Sequence, residues 1–306
     1  MMRGRFAPSP TGPLHLGSLV AALGSYLDAR SAGGEWLVRM EDLDPPREQA
    51  GAADDILRTL EALGFQWDGP VVYQSRRGPL YEEALAELSA QDHIYFCTCS
   101  RKEIADLGLP GIDGPRYPGT CRYAHHDPHD AAIRLRTDDR LIEFQDAVRG
   151  TRQQRVESEI GDFVLRRRDG LYSYQLAVVV DDANQGVTDV VRGADLMDST
   201  GRQIFLQRFL NIATPAYLHL PLVVDPSGQK LSKQSGAQAV DIRRANHVLC
   251  DALQYLGQET SPELRGASAG EILEFATSRW DRRQIPVEPQ TVRQGTTDHE
   301  AQDRDT

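Results

Sequence analysis

Two short segments of the chain carry side chains suited to phosphate chemistry. The first, His15-Leu16-Gly17-Ser18, follows the run of turn formers Pro8-Ser9-Pro10-Thr11-Gly12-Pro13. The second, Lys230-Leu231-Ser232-Lys233-Gln234, follows the turn Asp225-Pro226-Ser227-Gly228. Free backbone N–H groups at a helix start, with the positive end of the dipole, make an anion site beside His15. Gly17 leaves room for a ligand to lie flat against the backbone. The chain otherwise uses arginine, with Lys102 as its one further lysine, so lysine is specifically required in the second segment. A flexible ammonium can follow a phosphate through a reaction, whereas the planar arginine fork suits a fixed carboxylate.

Arginines of that second kind stand at the ends of two expected buried strands, Arg5 in Arg5-Phe6-Ala7 and Arg192 in Val190-Val191-Arg192-Gly193. A buried guanidinium is costly unless it meets an anion, and its fork grips a carboxylate with two parallel hydrogen bonds. The alternative for Arg192 is an internal pair with Asp181, Asp182 or Asp195. Glu41 follows another apolar strand, 36–40, and lies where open α/β sheets bind their ligands. It could hold an amino group or be a solvated turn carboxylate.

A third chemistry is suggested by Cys97, Cys99 and Cys121. They fall in a stretch, 93–160, that also holds four of the eight histidines and many prolines and glycines. A loop-rich insertion with little core gains folding stability from a tetrahedral zinc. By ligand chemistry alone the fourth donor would be His125 or His126; three ordinary buried cysteines are the alternative. Cys250 sits in a helical pattern and reads as core.

The elements that must position these groups follow from periodicity. Leu16, Leu19, Val20, Leu23 and Leu27 recur at helical spacing from near His15. Further core-facing helices are expected at 54–64, 79–92, 241–256 and 270–280. Two alternating runs surround Ile133-Arg134-Leu135-Arg136 and Leu141-Ile142-Glu143-Phe144. The stretch 172–182 reads as an aromatic lead-in, a buried strand and an acidic end. The expected organisation is a first catalytic half (1–92), an inserted metal-binding and RNA-contacting subdomain (93–165), a second catalytic half with the lysine loop (166–240), a helical part (241–285) and a disordered tail (286–306).

With 306 residues and a net charge of −11, the chain is not a protein that coats nucleic acid over its whole surface. Any RNA contact must come from local patches such as Arg101 and Lys102, or Arg166, Arg167 and Arg168; a solvated face is an equal reading of that triplet. The longest apolar run, 176–180, is too short for a membrane. No signal-peptide pattern opens the sequence, so the cytoplasm is the expected location and reduced cysteines the expected state.

The two phosphate-suited segments resemble the His-Ile-Gly-His and Lys-Met-Ser-Lys-Ser signatures of class I aminoacyl-tRNA synthetases. Ser18 stands in place of the second histidine and Gln234 in place of the final serine. The segments 5–12, 39–44 and 191–196 are similar to the glutamyl/glutaminyl subgroup, and the likeness is greatest to the glutamyl-Q tRNA(Asp) synthetases, truncated paralogues of glutamyl-tRNA synthetase. The resemblance implies a Rossmann-type α/β catalytic domain with an inserted zinc-containing subdomain and a short helical C-terminal part. It implies catalytic roles for His15 and Lys233, and an ATP site at His15, Gly17, Ser18, Lys230 and Lys233. Glutamate contacts would come from Arg5, Phe6, Ala7, Pro8, Ser9, Glu41, Tyr174 and Arg192, with Glu41 on the α-ammonium. Zinc would be held by Cys97, Cys99, Tyr117 and Cys121, and magnesium would accompany ATP. The implied reaction is tRNA-independent activation of glutamate, then transfer to queuosine in the anticodon stem-loop of tRNA(Asp) by a monomer. The length leaves no room for a dedicated anticodon-binding domain. Alternatives are a minimal glutamyl-tRNA synthetase charging the acceptor end, another adenylate-forming nucleotidyltransferase, or a non-catalytic RNA-binding descendant.

Overall fold

The computed structural model describes residues 1–231 and 238–292. Lys233, Gln234 and the end of the tail lie outside the described residues. The opening unit is strand β1 (Arg3–Phe6), helix α1 (Leu16–Ser31) and strand β2 (Glu35–Met40). β1 and β2 pair in parallel, from Arg3 opposite Glu35 to Phe6 opposite Val38. α1 begins where the leucine spacing predicts. It buries more than the leucine stripe, because Ala22, Gly24, Ser25, Tyr26, Asp28 and Ala29 are also covered. A helix buried on all sides lies inside the domain rather than on its surface. Gly24 permits this, since a Cβ there would come within 2.6 Å of Cδ1 of Leu220.

Helices α2 (Ala52–Ala62) and α3 (Gly78–Ala90) fall in the stretches expected of them, and strand β3 (Val72–Tyr73) extends the parallel sheet beside β2. Trp36, fully buried on β2, stacks on Phe6 and Phe65 and meets Tyr26 edge-on.

The middle of the chain divides between two sheets. Strand β4 (Ile94–Cys97), short helix α4 (Arg101–Asp106) and strand β5 (Ala132–Leu135) are followed by the hairpin β6 (Leu141–Asp146) and β7 (Gly150–Arg155). Helix α5 (Val156–Glu159) then leads to strand β8 (Val164–Arg166). β4, β5 and β8 make a separate antiparallel sheet. β6 instead joins the main fold, pairing in parallel at Asp146 with Tyr217.

One expected strand is a helix. Residues 172–182 enter helix α6 (Tyr174–Asn184), capped by Ser173, whose hydroxyl accepts the Leu176 N–H. A short apolar run with no polar face is compatible with a buried strand or a buried helix. Here Leu176 to Asp182 are all buried.

Strand β9 (Asp189–Gly193), helix α7 (Met197–Phe209) and strand β10 (Ala216–Leu220) complete the second sheet, in which β6, β10 and β9 run parallel, with Leu220 opposite Gly193. The Thr188 N–H donates to Arg3 O at 3.0 Å, tying this half to β1. Strand β11 (Val223–Val224) precedes the lysine segment; helices α8 (Ala245–Tyr255) and α9 (Ala269–Arg279) close over α1. The tail departs from expectation at its start, where strand β12 (Gln290–Thr291) pairs with β11. Among the described residues no helix is long and apolar enough to cross a membrane.

Candidate active site

The carboxyl ends of β1, β2 and β9 open into one cleft of about 1390 Å³. It is lined by Arg5, Phe6, Ala7, Pro8, Ser9, His15, Gly17, Ser18, Glu41, Tyr174, Arg192 and Lys230, so every described residue expected in the glutamate and ATP sites faces one space. Lys233, outside the described residues, is bracketed by backbone with defined partners. Leu231 N–H donates to Val223 O at 2.9 Å, and beyond the loop Ala239 bridges His15 while Val240 N–H donates to Leu14 O at 2.9 Å. The described residues on either side of Lys233 are thus held to β11 and to the start of α1.

His15 is the N-cap of α1. It is extended (φ −110°, ψ 171°), and its Nδ1 accepts the Ser18 N–H at 3.3 Å. Its Nε2 lies 3.1 Å from the Ser18 hydroxyl. The ring folds over Gly17, where an added Cβ would meet Cε1 of His15 at 3.2 Å. Lys230 pairs with Asp195, two residues beyond β9.

Arg5 does not stand free. Its Nε and Nη2 meet the two oxygens of Asp182 at 3.1 and 3.3 Å, and Arg39 donates to the same carboxylate at 2.7 Å. The neighbouring Asp181 takes Arg77 at 2.5 Å, Gln74 at 2.7 Å and the Tyr81 hydroxyl at 2.8 Å. Burial opposes ionisation of Asp182, yet Arg5 and Arg39 hold it below the usual carboxylate range. Glu41, tied to the opening turn by its N–H to Pro8 O at 2.9 Å, goes the other way. Burial raises it against the pull of Arg39 and Arg5. An ammonium placed beside Glu41 would favour its charged form.

Among the described residues Arg192 has no carboxylate hydrogen-bond partner. Nε donates to His219 at 3.1 Å, Nη1 to Gln203 at 2.8 Å and Nη2 to the Thr200 hydroxyl at 2.8 Å. Its longest contacts are one on each Nη, to the Tyr174 hydroxyl at 3.2 Å and to Leu196 O at 3.3 Å. Tyr174 and Leu196 line the cleft, so the loosely held edge of the fork is the one turned toward it. The pairing of Arg192 with Asp181, Asp182 or Asp195 is not what the fold builds: the first two aspartates serve Arg77, Arg39 and Arg5, and Asp195 serves Lys230.

Cys99 lines the cleft, and its sulfur lies within 4.8 Å of those of Cys97 and Cys121, which are likewise within that distance of each other. A metal bound tetrahedrally at about 2.3 Å sets sulfur atoms about 3.8 Å apart, so little movement would bring three thiolates onto one ion. The Tyr117 hydroxyl sits 3.4 Å from Cys97 Sγ and 3.7 Å from Cys99 Sγ. His126 also reaches the cluster through a hydrogen bond with Cys121. Burial lifts Cys99 to about 11. Cys121 falls to about 6, because hydrogen bonds from Tyr117, the Thr98 backbone and Cys99 overcome its burial.

Of the proposed RNA contacts, Arg166 pairs with Glu82, Arg167 with Asp169 and Asp44, and Arg168 with Asp130. Arg101 and Lys102 are exposed on α4. Sequence reasoning missed Arg39 and the Asp146–His219 pair behind Arg192. Arg39 carries the signal that picked out Arg192, an arginine ending an apolar strand; His219 shows only as a polar residue inside Tyr217-Leu218-His219-Leu220.

Comparison with known proteins bears on this arrangement directly. Residues 1–278 match the family of class I tRNA synthetases (E and Q), catalytic domain. The chain is 55% identical to the glutamyl-Q tRNA(Asp) synthetase of Ectopseudomonas mendocina (strain ymp), over 92% of this chain and 94% of that one. The chain belongs to the glutamyl-Q tRNA(Asp) synthetase family. It is therefore a ligase of the class I aminoacyl-tRNA synthetase type. A second such synthetase, from Dechloromonas aromatica (strain RCB), is 56% identical over 93% of this chain and 95% of its own. Among solved structures, a glutamate tRNA ligase from Elizabethkingia meningosepticum CCUG26117, crystallised in complex with its amino acid, superposes with a TM-score of 0.78 at 24% identity. The match covers 95% of this chain and 66% of that ligase, a likeness of fold.

Proposed function

We propose that this synthetase activates L-glutamate with ATP in the absence of tRNA and transfers it to queuosine in the anticodon of tRNA(Asp). The observation that carries the glutamate reading is the Arg192 fork, charged, buried and met by neutral acceptors alone, facing a cleft shared with Arg5, Glu41 and His15. The acceptor is inferred from what the relatives at 55% and 56% identity are named for.

In this reading Arg192, with the Tyr174 hydroxyl, receives one substrate carboxylate, Arg5 contributes to the second, and Glu41 takes the α-ammonium. Phe6, Ala7, Pro8 and Ser9 form the wall against which the amino acid lies. The α-carboxylate attacks the α-phosphorus of ATP in line, and pyrophosphate leaves. His15, Gly17, Ser18 and the first amides of α1 receive the phosphates, with Lys230 and Lys233 following the charge as it moves. Magnesium bound to ATP would supply neutralisation of the triphosphate. A hydroxyl of the queuosine cyclopentenediol then attacks the activated carbonyl and AMP leaves. A volume of about 1390 Å³ exceeds the usual range for one small ligand, leaving space for a nucleotide turned out of its stack.

Cys97, Cys99 and Cys121 would hold one structural zinc as thiolates, with Tyr117 as fourth donor, fixing the loops that carry Ser100 and Arg101 to the cleft. Soft thiolate donors at this spacing suit that metal. We place the protein in the cytoplasm with its substrates.

The test is glutamate-dependent ATP–pyrophosphate exchange without RNA, followed by mass spectrometry of a queuosine-bearing anticodon stem-loop. Exchange with glutamate but not glutamine, and a glutamyl adduct on the queuosine stem-loop but not on its guanosine counterpart, are expected. An ester on the terminal adenosine of intact tRNA would instead favour a minimal glutamyl-tRNA synthetase.

A further inference from the structure

Behind Arg192 lies a buried pair that does not itself line the cleft. His219 Nδ1 is 2.7 Å from Oδ2 of Asp146, and both side chains have no solvent exposure. The same oxygen accepts the backbone N–H of His219 at 3.0 Å. The other oxygen accepts those of Val148 at 3.1 Å and Arg149 at 2.8 Å. A carboxylate engaged by so many donors is held ionised and fixed. The imidazole must therefore carry its proton on Nδ1, which leaves Nε2 as an acceptor. At Nε2 two donors converge: Nε of Arg192 at 3.1 Å and the Thr200 hydroxyl at 3.2 Å.

A carboxylate in direct contact would neutralise Arg192. Here the imidazole stands between the two, so the guanidinium meets a neutral acceptor and keeps its charge for the cleft. The contact at Nε also fixes the roll of the fork, since the two Nη groups alone could rock about the line joining Gln203 and Thr200.

We propose that His219, backed by Asp146, is a positioning residue for the amino-acid site: its unprotonated Nε2 sets the orientation of the Arg192 fork toward a substrate carboxylate. This rests on the reading of the site as a glutamate pocket.

Asparagine and glutamine separate the two ends of the imidazole. In place of His219, an asparagine would offer a polar atom near the position of Nδ1, and a glutamine would offer one near the position of Nε2. In glutamate-dependent exchange, His219→Asn is expected to raise KM for glutamate about 10- to 100-fold, the effect of losing one hydrogen bond to a charged group. The KM for ATP should stay within about twofold. His219→Gln should keep the glutamate KM within about threefold of wild type. Equal behaviour of the two variants, or a parallel rise in both KM values, overturns the proposal. Nitrogen-15 NMR of the wild-type protein tests the geometry without turnover or variants. It should show the Nδ1–H tautomer of His219 and a scalar coupling between Arg192 Nε and His219 Nε2 across the hydrogen bond. An Nε2–H tautomer or absent coupling overturns the positioning role even in an active enzyme. The expected spectrum in a protein without glutamate-dependent exchange would sink the glutamate reading and leave the Arg192–His219 geometry standing.

Discussion

Arg5, on β1, meets Asp182, on α6, with two donors, Nε at 3.1 Å and Nη2 at 3.3 Å. Arg39 from β2 reaches the same carboxylate, so one aspartate joins three elements around the cleft. Removing it leaves two buried guanidinium groups without their shared partner. Asp182→Ala is expected to lower stability by about 3–5 kcal/mol and to raise the glutamate KM. Urea unfolding checks the first, and an unchanged midpoint would remove the reason for treating this aspartate as the junction of the fold.

The described residues flanking Lys233 are held in place, Leu231 to β11 and Ala239 and Val240 to His15 and Leu14. Loss of one preorganised charge contact typically lowers rate by about two to three orders of magnitude, and that is the expectation for glutamate activation by Lys233→Ala. Lys102→Ala, on an exposed face of α4, should act as a control with little effect. Pyrophosphate exchange compares them; equal losses would dissociate the lysine segment from the chemistry.

One zinc per chain is expected, on Cys97, Cys99 and Cys121, and elemental analysis counts it. Tyr117→Phe should weaken retention against a chelator, because its hydroxyl lies within 3.4 Å of Cys97 Sγ. Full retention in that variant, with loss in His125→Ala or His126→Ala, would move the fourth ligand to the histidine. A protein free of zinc after folding in its presence would falsify the site.

Burial first, and Arg192 with it, lowers His219 to about 4 despite the hydrogen bond to Asp146. The unfolded chain takes up this proton near pH 6.5 while the folded one resists it, so stability falls as pH drops from 6.5 toward 4. The full span amounts to about 3 kcal/mol. His219→Gln has no proton to take up and should flatten that part of the pH–stability curve, read by thermal unfolding at pH 7, 6, 5 and 4. A slope as steep as that of wild type would assign the effect to other groups.

The residues that could be found in the sequence are those whose chemistry is local. His15 announces itself by the turn before it and the leucine spacing after it, and Arg192 by its place at the end of an apolar run. The structure of 172–182 could not be found that way, because a fully buried helix and a fully buried strand present the same apolar run. The partners of Arg192 were hidden for a different reason. Gln203 and Thr200 come from α7, His219 from β10 and Asp146, behind it, from β6; only the folded sheet brings them together. Arg5 lines the cleft, but its bond to Asp182, 177 residues away, has no sequence trace.

The pairing of β12 with β11 has a practical consequence. Gln290 N–H donates to Leu222 O and Val292 N–H to Val224 O, each at 2.8 Å, and Leu222 is itself part of the cleft wall. Whatever is fused after residue 292 therefore departs from the foot of the lysine segment. An affinity tag or reporter fused directly after residue 292 would start beside the cleft wall, whereas one placed ahead of Arg3 would start from the opposite, amino-terminal edge of β1. For immobilising the enzyme or labelling it with a fluorophore, the amino end is the better handle.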